Sequence, residues 1–152
     1  MINKYLKNIK ITRLRRYDYK SSESILLIRN ENNIRKNMIN NNIIKLKNHT
    51  DWLKKILKNK SEYLYLITIK NIISGVFRFT RLQDYTEWSF YITKDKQKIY
   101  GSFIEYLAIR KMFRLQNIKL ITCKVFDFNS GVISLHKKFG FKNNEKKKIE
   151  KD

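Results

Sequence analysis

A chain of 152 residues, 42% of them hydrophobic and 13% aromatic, fits one domain spanning 1–152 that can bury a core without covalent staples. Its single cysteine, Cys123, excludes an internal disulfide, and apolar runs such as Ile25–Ile28 are too short for a signal peptide or a bilayer span, so the chain reads as soluble and cytoplasmic. The net charge of +21 comes from 25 Lys and 9 Arg scattered along the whole length; with abundant Asn and Ile, four Gly and no Pro, this reads as drift toward AT-rich codons, with a polyanionic partner as the alternative.

In chain order, Ile9–Leu14 alternates in part and predicts a strand. Ser22 is placed to cap a short helix holding Ile25, Leu26 and Leu27, and a second helical stretch is expected near Ile34–Ile39. Thr50 or Asp51 can cap the next helix, with Trp52, Leu53, Ile56 and Leu57 on one face. Aromatic and β-branched residues predict three strands, Tyr63–Ile69, Ile73–Arg81 and Glu87–Thr93, with a turn at Asn71 between the first two. A helix over Gly101–Leu115 turns Phe103, Ile104, Leu107, Ala108 and Met112 inward. Lys119–Val125 reads as a buried strand with Cys123 in its core, Asn129–Phe139 as a helix, and Phe141 as the start of a last strand. Asn40–Asn42 and Lys146–Lys148 read as loop and solvated terminus. A meander followed by helix, strand, helix and strand predicts an α/β fold with a mixed sheet and helices on both faces.

Three stretches carry the chemistry. In Asn129–Phe141, Asn129 or Ser130 can cap the helix, Gly140 suits its left-handed stop, and Val132, Leu135 and Phe139 form the apolar stripe. Seven residues make nearly two turns, so Asn129 and His136 share one face that a ligand could run along. Lys96–Ser102 precedes a helix whose free amides favour a phosphate, although Ser102 with Glu105 also forms a capping-box pattern. Arg29, Asn30, Arg35, Met38, His49 and Trp52 recur through the N-terminal third; Arg forks bind phosphate, or pair structurally at a surface. No Cys/His cluster has metal-ligand spacing, so no metal is expected.

The pattern Asn-x-x-x-x-x-Leu-His-x-Lys-x-Gly-Phe at 129–141 resembles the acetyl-CoA-binding motif of the GNAT superfamily. That resemblance implies a mostly antiparallel, GNAT-like mixed sheet flanked by helices. It implies a C-terminal hairpin too, shortened here because only Lys142–Asp152 remains; a homodimer partner could supply the strand. It places Asn129 on the pantetheine arm, with Lys138 also in the motif. His136, where the family more often has Tyr, falls near the thioester sulfur as a proton donor, or is a half-buried helix histidine. An unperturbed imidazole is largely neutral at pH 7.

The family's phosphate loop aligns with Lys96, Lys98, Tyr100, Gly101 and Ser102, with Ile99 in place of the middle glycine. The strand before it, through Phe90, Tyr91 and Ile92, is expected to bond the pantetheine. Glu87 is the candidate general base, or a solvated strand-end carboxylate, and Trp88 a core or pocket-wall residue. The N-terminal third looks like the branch that acetylates amino-sugar nucleotides, at the 4-amino group in the pseudaminic acid pathway. This implies a substrate site of Arg29, Asn30, Arg35, Met38, His49, Trp52 and Trp88, acetyl-CoA as cosubstrate, and direct transfer without a covalent intermediate. The alternatives are a protein N-terminal acetyltransferase of the ribosomal-protein type and a basic nucleic-acid-binding module that has lost catalysis.

Overall fold

A computed structural model describes residues 2–115 and 118–146. Its elements run α1 (Ile2–Leu6), β1 (Ile9–Arg13), α2 (Tyr19–Arg29), α3 (Asn32–Arg35), α4 (Leu46–Lys58), β2 (Glu62–Ile69), β3 (Ile72–Arg81), β4 (Thr86–Ile92), α5 (Lys94–Phe113), β5 (Ile121–Thr122) and α6 (Ser130–Lys138). The five strands form one sheet in the order β1-β2-β3-β4-β5. The first four pair antiparallel and β5 runs parallel to β4. The expected mixed, mostly antiparallel sheet flanked by helices is what the chain forms.

Period-2 alternation sorts the core onto two faces. Tyr65, Ile67 and Ile69 of β2, Phe77 and Phe79 of β3, and Trp88 and Ile92 of β4 pack against Tyr100, Ile104, Ala108 and Met112 of α5. On the other face Leu64 and Val76 meet Ile25 of α2 and Leu53 of α4, with Leu66 and Tyr91 alongside. Between β2 and β3, Lys70 and Asn71 both take positive φ, 50° and 65°. That is the two-residue turn whose twist matches the strands it joins. Midway along β3, Gly75 lies opposite Ile92, where an added Cβ would overlap the Tyr91 carbonyl oxygen.

Several predicted boundaries move. Asp18, not Ser22, caps α2 by accepting from Ser21 N–H at 2.8 Å; the Ser21 hydroxyl and then this backbone bond hold its carboxyl below the usual range. Ser22 is buried within the helix, and Leu27 points outward at 68% exposure. The stretch at Ile34–Ile39 is helical only to Arg35. Helix α4 starts at Leu46, ahead of Thr50 and Asp51; its buried residues are His49, Leu53 and Ile56, while Trp52 is partly exposed. The predicted strand Lys119–Val125 pairs only over Ile121–Thr122 and is half-buried. Phe141 opens no strand among the described residues, and the predicted terminus beyond Lys146 lies outside them. Among the described residues no helix is long and apolar enough to cross a membrane, and no group of His, Cys, Asp or Glu could hold a metal ion.

Candidate active site

The site starts from a fork in the sheet. β4 pairs with β3 along its whole length but with β5 only at Thr86↔Ile121 and Glu87↔Thr122. Past Glu87 the ladder stops, and the chain after β5 leads through Cys123–Phe128 to α6. Alternate backbone groups of Trp88–Ile92 therefore face away from β3 without a ladder partner among the described residues. Phe90, Tyr91 and Ile92 lie on this open edge.

On the α5 side of the fork sits His136, buried, with Nδ1 2.7 Å from Glu105 Oε1. The rings of Trp88, Phe90 and Phe141 surround it at centroid distances of 5.6, 6.5 and 5.2 Å. Burial alone pulls the imidazole down. Hydrogen bonds to Cys123 and Glu105, with the electrostatic pull of the same two side chains, outweigh it, raising His136 to about 9. The side chain expected to be largely neutral is thus an imidazolium at pH 7. Glu105 is fully buried on α5, and its Oε2 has no hydrogen-bond partner among the described residues.

On the α2 side, Glu87 pairs with Lys124 at 2.9 Å. Tyr91 lies close enough to Arg29 for each to perturb the other: burial raises the Tyr91 phenol, and burial lowers the Arg29 guanidinium. Glu31 is raised by burial and then by Asp95 of α5. The end of α2, the end of β4 and the start of α5 therefore converge at the open end of the fork.

The predicted phosphate loop is not a loop. Helix α5 begins at Lys94, so Lys96, Lys98, Tyr100, Gly101 and Ser102 are helical, and Ser102 caps nothing. Lys94 to Tyr100 contains no Gly or Pro, and with Ile99 replacing the family's middle glycine nothing stops the helix from extending back to Thr93. Tyr100 is buried beside Tyr5, and Gly101 lies under Leu135 of α6. The amides of Lys96 and Gln97 donate to the Thr93 carbonyl and that of Asp95 meets its own carboxylate, which leaves the Lys94 amide without a backbone partner among the described residues. Lys96 pairs with Asp95 at 2.8 Å, which raises its ammonium; Lys98 is exposed. On α6, Asn129 is the N-cap residue but makes no side-chain cap bond, and Lys138 is exposed.

The predicted acceptor residues divide. Asn30 clamps Ile44, donating to its carbonyl and accepting from its N–H, both at 2.9 Å. Arg35 donates to the Asn30 and Asn41 carbonyls at 3.0 and 2.8 Å, so it folds its own loop instead of offering a free fork. Arg29 donates to the Asn40 carbonyl at 2.6 Å, but its Nη1 is buried without a partner among the described residues. Met38 follows α3, half-buried. His49 is buried against Trp52 at 5.5 Å, lowered by desolvation, with Nε2 unpartnered among the described residues. Trp88, 2% exposed, belongs to the core on the opposite face of the sheet and does not join this group.

Glu105 entered the sequence reading only as a capping partner of Ser102. The signal for it was present: 101, 104, 105, 108 and 112 trace the inner face of a helix, and Glu105 is the one charged residue among them.

The family model described as acetyltransferase (GNAT) domain matches residues 11–151. No curated protein matches the sequence. Among solved structures, the chain is similar to the Campylobacter jejuni N-acetyltransferase PseH, with 20% identity and a TM-score of 0.71 over 93% of this chain and 92% of that one. It is similar to the Vibrio cholerae spermidine N-acetyltransferase solved with CoA and spermine, with 14% identity and a TM-score of 0.81 over 91% and 83%. An aminoglycoside acetyltransferase, meta-AAC0020, from an uncultured soil metagenomic sample aligns at 13% identity and a TM-score of 0.69 over 94% of each chain. At these identities the likeness establishes the fold.

Proposed function

Since the chain belongs to the GNAT acetyltransferases, we propose that it acts as one domain to transfer the acetyl group of acetyl-CoA directly to a primary amine, the 4-amino group of a UDP-amino-dideoxy sugar. The observation that carries the transfer reaction is the fork between β4 and β5 with the His136 imidazolium beside it. The residues present suit the cosubstrate. The open edge at Phe90, Tyr91 and Ile92 offers backbone groups to an amide-rich pantetheine arm. The start of α5 offers the amide of Lys94, and the charges of Lys96 and Lys98, to a pyrophosphate. Asn129, at the N-cap of α6, is assigned to the pantetheine arm; Lys138, nine residues on and exposed, lies on the opposite side of the helix.

The amine nitrogen attacks the thioester carbonyl carbon, the C–S bond breaks, and His136 gives its proton to the leaving thiolate. Glu87, or a water it holds, takes the proton from the amine. Holding amine and thioester together accounts for much of the acceleration.

The acceptor assignment rests on the N-terminal motif and on Arg29, whose guanidinium feels Tyr91 of β4 and whose buried Nη1 has no partner among the described residues; an Arg fork suits a diphosphate. Asn30 and Arg35 shape the loop that carries this surface; Met38, His49 and Trp52 flank it. A second reading, a protein N-terminal acetyltransferase, is favoured by the engagement of Arg35 in its own loop, which leaves fewer cations for a diphosphate.

Loss of thioester absorbance with a UDP-4-amino-dideoxy sugar tests the proposal. Acetylation of that sugar is expected. His136→Gln should lower turnover by about 100-fold, the scale of a lost general acid, with acetyl-CoA affinity within about threefold. Acetylation of ribosomal N-terminal peptides in preference to the sugar would establish the second reading. Nucleic-acid binding with steep salt dependence and no acetyl-CoA binding would replace both.

A further inference from the structure

We infer that Glu105 is the positioning residue of the transfer reaction: from the fully buried inner face of α5 it fixes the orientation of the His136 ring and keeps it charged, so that the proton on the far nitrogen is the one delivered to the leaving thiolate. The inference rests on His136 being the acid.

The geometry supplies each part. Glu105 Oε1 meets His136 Nδ1 at 2.7 Å across 31 residues of sequence. An imidazole held at Nδ1 by a carboxylate keeps that proton there and offers only Nε2 for exchange. Trp88 and Phe90 of β4 and Phe141 after α6 bring aromatic surface without charge. Cys123, the first residue past the β4–β5 pairing, brings a thiol within hydrogen-bonding reach. Cys123 and Glu105 are therefore the two ionisable groups that raise the ring, and Glu105 is the one bonded to Nδ1.

An ion pair this deeply buried costs desolvation that an apolar pair would avoid, so it is a weak source of stability and points to another use. The proton inventory closes. His136 starts as the imidazolium and gives its Nε2 proton to sulfur. It is left neutral with Nδ1–H still bonded to Glu105, and regains a proton from solvent before the next turnover.

The chain has two histidines, His49 and His136, so Cε1-labelled histidine resonances of the full chain can be followed separately, with His136→Gln assigning them. In the wild type the His136 resonance should titrate near 9. In Glu105→Gln, which keeps the side-chain shape and leaves Cys123 in place, its midpoint should fall by at least about one unit. The alkaline limb of kcat for the UDP-4-amino sugar should move down with it, and Glu105→Asp should restore part of both. A wild-type midpoint below 7, or a midpoint and limb unmoved in Glu105→Gln, overturns the inference while leaving the acid in place. Unchanged turnover in His136→Gln removes the acid, and the role of Glu105 with it. If Glu105→Gln does not fold, the wild-type titration and the Glu105→Asp shift decide the matter.

Discussion

Gly75→Ala tests how the sheet holds the fork. Gly75 on β3 faces Ile92 at the last register pair of β4. A Cβ there would overlap the Tyr91 carbonyl oxygen and stand 2.9 Å from Ile92 Cα and 3.1 Å from the Tyr91 carbonyl carbon. All three atoms are backbone, so no rotamer change relieves the contact and β4 must move away from β3. Overpacking costs about 1–3 kcal/mol, and straining one ladder hydrogen bond adds about 1 kcal/mol, for roughly 3 kcal/mol in all. In a chain of this size that lowers Tm by about 6–12 °C.

Because the displaced segment is the open edge at Tyr91–Ile92, acetyl-CoA affinity should fall by at least tenfold as well. Gly131→Ala is the control. It lies on α6 with nothing within 4 Å of an added Cβ, so the helix should gain about 0.5–1 kcal/mol. Thermal unfolding and calorimetric acetyl-CoA titration on both variants read the result. A Gly75→Ala melting point within about 2 °C of wild type would refute the close approach of β3 and β4.

The raised His136 makes stability depend on pH. Its folded value of about 9 lies above the unfolded 6.5. The contribution, up to about 3 kcal/mol, is therefore fully present below pH 6.5 and is lost as pH rises through 9. Urea unfolding at pH 6 and pH 9.5 should show this loss in the wild type and much less of it in Glu105→Gln. Asn30→Ala removes both bonds to Ile44 and should cost roughly 1–3 kcal/mol. It should also speed hydrogen exchange at the Ile44 amide, whereas an unchanged exchange rate would show that the loop does not depend on that clamp.

How much was legible follows from range. The three-strand meander could be read because alternation is a local signal: Tyr65, Ile67 and Ile69 point one way, and Leu64 and Leu66 the other, whatever packs on them. The motif at Asn129–Phe141 could be read for the same reason, and Gly140 takes the left-handed conformation, φ 87°, that its position suggested. Helix α5 starts earlier than the family's glycine spacing implies, because the helix propensity of Lys94–Tyr100 outweighs a turn that lacks its glycine. Trp88 was grouped with acceptor residues that lie on the other side of the sheet, a separation that only the register of β4 defines.

The sequence by itself determined the class of fold and the family to which the motif at Asn129–Phe141 points, and it singled out His136. The tertiary structure decided what that ring is. In the chain His136 is an ordinary imidazole; folding takes it out of water and sets Glu105 against it from a helix 31 residues away. The strength of a charge pair depends on distance and on the exclusion of solvent, and neither is a property of sequence spacing.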